Sequence, residues 1–371
     1  MEQRIIRVLA VSDPGVQVYV DEKKQVLSGF AQGKVQFDVF PWAQYYETMM
    51  NVFAGKADYD IVMVAGHLWK RDFVEKGRLA PIGALDQDIL PVIAREAQFE
   101  GSTYLSPSFC DGHMVVMRKS RLSACGITPA QIITPQDYIE MAHTLGKNAV
   151  AMKAHPSEIF TDALPFIRMY GGDAYDVSGA PVCDSDEAVR GLESYCELRR
   201  YASDDTADYG NEQVADAISS GKTAMGITWS GQMGVVMGEH CRQPEDLIFS
   251  TLSTAWNVTW SFAISAMCTH KELAEALLSY LRSPQVDVEA GAFSGAPVRL
   301  SSYKQGMDSY PWYSCQLEMI EKYARPMPDC SRAGERNACL YDEIALAFAD
   351  KKSPRRAMQD AKERILTIDR T

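Results

Sequence analysis

Gly221-Lys222-Thr223-Ala224-Met225-Gly226-Ile227-Thr228-Trp229-Ser230-Gly231 is the stretch on which the fold turns. A short apolar strand leaves a helix and ends in an indole beside two small residues. Such a strand belongs in an open α/β sheet, where ligands collect outside the carboxyl ends of the strands. Trp229 reads as presented at such an end; the competing reading is that it caps a core. Gly221-Lys222-Thr223 resembles the end of a phosphate-binding loop, but the glycine that motif needs five residues earlier is Asp216, and here the helix precedes the strand. Nucleotide binding is therefore not expected.

Outward from this motif the same rhythm repeats. Ile5–Val11 ends in Ser12-Asp13-Pro14-Gly15, Val35–Phe40 ends in Pro41-Trp42, and Tyr59–Val64 ends in Gly66-His67-Leu68-Trp69. Between them Tyr45, Tyr46, Met49, Met50 and Phe53 keep helical spacing up to Gly55. Three strands with crossover helices predict a right-handed parallel sheet. Pro107 to Gly112 interrupts the pattern, and a domain crossing is expected there before a strand at His113–Met117. Thr134-Pro135-Gln136-Asp137 predicts a capped helix ending at Gly146. Helices are expected over 157–170 and 184–201, strands over 149–152, 247–252 and 261–266, a capping box at Thr269–Glu272 and long helical segments around 312–325 and 340–366.

The 371 residues exceed what one core supports, so two lobes are expected. No stretch approaches the ~18 consecutive apolar residues of a membrane span. A net charge of −12 disfavours nucleic acid and anionic lipid as partners. The one basic cluster, Lys351-Lys352 with Arg355-Arg356, reads as a solvated helix face rather than a phosphate site. The nine cysteines include no CxxC pair, are odd in number and read as small buried apolar residues, which by itself leans towards a reducing compartment. Met1-Glu2-Gln3 leads almost at once into the first strand, so no leader is expected within this chain.

No GxSxG, HExxH or GxGxxG occurs, and the histidines lack ligand spacing, so neither a metal nor a cofactor is expected. Instead, aromatic and polar groups accumulate at predicted strand ends: Asp13, Trp42, His67, Trp69, Asp111, Trp229, Trp256 and Trp260. Apolar faces of sugar rings stack on indoles while their hydroxyls need carboxylates and amides, so this mixture suits a carbohydrate-sized pocket. Several of these tryptophans are equally suited to a core.

Four stretches and one loop, in order, resemble the extracytoplasmic solute-binding proteins of ATP-driven importers, in the group of maltose-binding protein. They are Phe53–Val62, Gly77-Arg78-Leu79-Ala80-Pro81-Ile82, Gly221–Trp229, Trp260–Ser265 with His270–Ala274, and the loop Gly295-Ala296-Pro297-Val298-Arg299. Met117-Arg118 stands where many relatives have Tyr-Asn, and the turn after Thr228 is plainer than that of the maltose receptor. The resemblance implies an α/β, two-lobed periplasmic-binding-protein-like (type II) fold with a hinge and an interlobe ligand cleft. The first lobe would take 1–108 plus 255–303, the second 109–254 plus 304–371. Asp13, Trp42, His67 and Trp69 would line the cleft from the first lobe, Asp111, His155 and Trp229 from the second, with Trp260 and Arg299 near the hinge. It further implies a monomeric, extracytoplasmic receptor, not an enzyme, that closes on a sugar or oligosaccharide and delivers it to an ABC permease. Two alternatives are an enzyme using Asp13 and Asp111 as acid and base, and a receptor for a cationic metabolite such as a polyamine.

Overall fold

The computed structural model describes residues 4–370. Met1–Gln3, on which the reading of a missing leader rests, and Thr371 lie outside the described residues. The chain divides into two compact units. The first takes the residues up to Asp111 together with Val258–Tyr310, and the second takes Gly112–Asn257 with Pro311 onward.

In the first unit β1 (Ile5–Val11) pairs in parallel with β2 (Lys34–Phe40) along its whole length, from Ile5↔Lys34 to Val11↔Phe40. Its other edge takes β3 (Ile61–Ala65), with Val8 opposite Ile61. All of β3 is buried, as its unbroken apolar sequence requires of a parallel strand covered on both faces. Strand Asn257–Ser265 returns antiparallel along β3, placing Trp260 opposite Ala65. Helices α1 (Pro14–Val20), α2 (Trp42–Phe53) and α3 (Gly66–Glu75) each start just beyond the carboxyl end of β1, β2 or β3. Asp13 caps α1: its backbone is extended, its carboxylate accepts from the Gly15 N–H at 2.7 Å, and Pro14 fills the first helical position. Tyr45 ties α2 to β3, its hydroxyl accepting from the Met63 N–H at 2.8 Å and donating to the Met63 carbonyl at 2.5 Å.

In the second unit the Gly112–Arg118 part of strand Ser106–Arg118 carries Met225–Trp229 on one edge, antiparallel, with Trp229 opposite His113. The other edge takes Leu247–Leu252, also antiparallel. Val150–Ala151 lies parallel to Met225-Gly226, so the residues after Ala151 and after Trp229 leave the sheet at the same end. Helix Asp186–Glu197 packs on Ile159–Ile167 at close range. A Cβ at Gly191 would stand 2.3 Å from the Phe166 carbonyl oxygen. Among the described residues no helix is long and apolar enough to cross a membrane, and all nine cysteines are free.

Several elements differ from the sequence reading. Pro107 to Gly112 is not an interruption; it lies inside the thirteen-residue strand Ser106–Arg118. Proline is tolerated near a strand's start, and Gly112 is where Met319 approaches, a Cβ there falling 1.9 Å from the Met319 methyl carbon. Trp260 lies within Asn257–Ser265 rather than in a loop before it. The segment 340–366 is two helices, Ala333–Phe348 and Pro354–Arg370, parted where Asp350 takes a left-handed φ of 55°. The box at Thr269–Glu272 does not form; His270 occupies the cap position without a side-chain bond. The basic cluster is largely ion-paired, Lys352 and Arg356 to Asp360 at 2.8 and 2.6 Å and Arg355 to Asp186 at 2.8 Å.

Candidate functional site

Parallel pairing brings the ends of β1, β2 and β3 to one edge of the first unit, and with them Asp13, Trp42 and the start of α3. Trp42 stacks on Trp69 with ring centres 5.5 Å apart and planes 18° off parallel. Trp260 meets both edge-on, at 5.9 Å from Trp42 and 6.4 Å from Trp69. Phe109 lies against Trp260 at 6.4 Å and 25°. The same phenyl ring fills the space beside Gly15, where a Cβ would fall 2.5 Å from it. Asp13, Trp42, Trp69 and Trp260 are thus brought together, through Phe109 and Gly15, on one face. Trp69 is buried and Trp260 half-buried, whereas Trp42 leaves 50% of its surface exposed. An indole held by a second indole at its back and open at its front is a platform for a ring with apolar C–H faces.

His67 sits in the first turn of α3, half-buried, with its Nδ1 closed off from solvent. Loss of hydration pushes its imidazole down to about 3, so at neutral pH it is an uncharged hydrogen-bonding group. Asp111 is the buried last residue of the first unit. Arg299 is committed elsewhere in that unit. Its guanidinium donates to Asp86 at 2.8 and 2.5 Å, to Asp88 at 3.1 Å and to the Arg282 carbonyl at 2.6 Å. All three nitrogens have partners, which describes a strut.

Trp229 is 8% exposed, so the reading of it as presented is corrected: in the second unit it packs against three neighbours. His113 stacks at 4.5 Å between ring centres, Trp256 meets it edge-on at 5.6 Å, and Lys153 Nζ stands 4.5 Å over the indole. Lys153 is fully buried and pairs with Asp162, 2% exposed, at 2.8 Å. His113 Nε2 bonds the Thr161 carbonyl at 3.1 Å and lies 3.8 Å from the same Asp162 oxygen. Burial raises the Asp162 carboxyl and Lys153 pulls it back; burial and the Lys153 charge together drive the His113 imidazole well down. The result is a neutral histidine and an ion pair forming one polar layer against the indole. Trp256 is fully buried and belongs to the core. His155, beyond Ala151 on the exposed loop, bonds its own neighbour Ser157 at 2.8 Å.

The residues missed from sequence are Phe109, His113, Lys153 and Asp162. His113 had a detectable signal, since it faces Trp229 once the two strands are paired. Asp162 had none, lying in a helix whose every residue is buried.

A family model described as bacterial extracellular solute-binding protein matches residues 13–288. Over 344 residues the chain is 23% identical to a probable amino-acid ABC transporter periplasmic-binding protein of Sinorhizobium fredii (strain NBRC 101917 / NGR234), covering 87% of this chain and 79% of that one. Among solved structures it is similar to maltose-bound MalE3 of T. maritima, with TM-score 0.86, 18% identity, and 98% and 99% of the two chains covered. It is also similar to an ABC transporter solute-binding protein of Agrobacterium vitis S4 with bound D-mannitol, with TM-score 0.83, 16% identity, and 99% and 98% covered. The GacH receptor of Streptomyces glaucescens follows at TM-score 0.82, with 18% identity and 97% of each chain covered. The expected periplasmic-binding-protein-like α/β fold is therefore met.

Proposed function

The chain belongs to the bacterial extracellular solute-binding proteins, and from that premise we propose that it is the substrate-binding component of an ABC importer for a sugar, an oligosaccharide or a related polyol. The observation that carries the ligand class is the Trp42–Trp69–Trp260 cluster, with one half-exposed indole at the carboxyl ends of parallel strands. Maltose and D-mannitol in the similar structures support the same class. Trp42 supplies the stacking surface. Asp13, whose carboxylate has two oxygens and several acceptor positions, binds hydroxyls, and His67 and Asp111 add polar contacts from the same unit. On the second unit Trp229 acts as a wall held rigid by Lys153 and His113, with His155 on the neighbouring loop. Arg299 braces its loop and does not touch ligand.

The protein is a monomeric extracytoplasmic receptor whose partner is a membrane permease, and it returns its ligand unchanged. Calorimetry against maltose, oligosaccharides, D-mannitol, ribitol and a panel of amino acids tests this. Saccharide or polyol binding weakened at least about tenfold by Trp42→Ala is expected, a loss of about 1.4 kcal/mol. Binding of amino acids alone would sink the ligand class, and product formation on prolonged incubation would sink the receptor reading.

A further inference from the structure

The second unit contains a hollow of about 970 Å³ that the solute site does not use. Its walls come from the loop after Val150–Ala151, from residues 199–207, and from helices Ala333–Phe348 and Pro354–Arg370. Five cations line it in a chain of net charge −12. Three of the five are neutralised. Lys147 pairs with Asp204 at 3.0 Å, Arg364 with Asp342 at 2.7 Å, and Arg199 with Asp350. The other two, Arg200 and Lys351, have no carboxylate partner among the described residues. Asp204 and Asp342 are the only carboxylate residues among the described residues of the lining, and one wall is apolar, formed by Ala345, Leu346, Phe348 and Ala349 on one helix and its end.

We propose that this hollow is a second binding site, for a small organic anion whose carboxylate or phosphate meets Arg200 and Lys351 and whose apolar body lies on the Leu346–Phe348 surface. An inorganic ion would satisfy the charge but leave most of the volume and the apolar wall unused. The site is separate in residues from the indole cluster of the first unit, so it stands whether or not the transported solute is a sugar.

Calorimetric titration at constant ionic strength with phenyl phosphate, benzoate, inorganic phosphate and neutral benzyl alcohol tests the assignment. Phenyl phosphate or benzoate is expected to bind in the millimolar range or tighter, with benzyl alcohol and inorganic phosphate weaker. The Arg200→Gln/Lys351→Gln double variant should weaken the better anion about tenfold or more. Arg200 and Lys351 are exposed, so the double variant keeps its fold, which an unchanged circular dichroism spectrum checks. Absence of binding to the parent, or equal binding by parent and double variant, overturns the site. Equal binding of inorganic phosphate and phenyl phosphate overturns the ligand class.

Discussion

Lys153 Nζ stands 2.8 Å from Asp162 Oδ1 and 4.5 Å over the Trp229 indole, so one buried cation serves a carboxylate and an aromatic ring together. Removing either charge leaves the other buried and unpaired, at a cost of about 3–5 kcal/mol, whereas removing both leaves only a packing change. Lys153→Met and Asp162→Leu are each expected to lower the urea-derived stability by that amount, and the double variant by clearly less than their sum. Additive losses would mean the pair is not coupled.

His113 is buried and neutral, with a folded-state pKa well below its ordinary value near 6.5. Below that pH the unfolded chain takes up a proton that the native state refuses. The stability contributed by the neutral imidazole is therefore complete above about pH 6.5 and declines by up to about 1.4 kcal/mol per pH unit on acidification. Buried Asp287, raised to about 6, and Asp162, also raised, act in the opposite direction between about pH 6 and 4. Comparing the pH slope of His113→Gln with that of the parent cancels those carboxyls. The variant should be flatter between pH 6.5 and 5; equal slopes would refute the neutral, buried assignment.

Two glycines that both lack room for a side chain should respond differently. At Gly191 the obstructing atoms are backbone of the neighbouring helix, at 2.3 Å and 2.5 Å, which cannot yield without separating the helices. At Gly112 the obstructing atoms are the end of the Met319 side chain, which can turn away. Gly191→Ala is expected to cost about 3 kcal/mol or more and Gly112→Ala less than about 1 kcal/mol by urea denaturation.

Trp42 and Trp256 separate platform from core. Trp256 is fully buried, so Trp256→Ala should cost about 3–5 kcal/mol. Trp42 is half exposed and loses mainly its stacking on Trp69, about 1 kcal/mol on truncation. Thermal denaturation of the two variants side by side measures the gap; equal losses would mean that Trp42 is structural.

The parallel strands of the first unit were readable because each is an apolar run closed by a turn, and the helix after Thr134 because its cap and first-turn proline are local signals. The interior of Ser106–Arg118 was not, since Pro107 and Gly112 signal a break wherever partners are unseen. Nor was the end of the helix at Phe348, because apolar spacing continues across the turn at Asp350. Trp42 was legible as a site residue from its place after a strand. The burial of Trp229 was not, because it depends on Lys153 and His113, which only strand pairing and helix packing bring to the indole. The commitment of Arg299 was equally hidden, as Asp86 and Asp88 lie more than two hundred positions away.

The pairing of Trp260 with Ala65 sets a timetable for synthesis. The edge of β3 that receives Asn257–Ser265 is made about 195 residues before its partner, so while the chain emerges that edge stays open, apolar and able to pair wrongly. The first unit cannot be completed as a domain until the second has been made in large part. A chaperone that holds nascent chains would therefore act on β3, whose edge cannot carry protective charges because every residue of the strand is buried once the unit is complete.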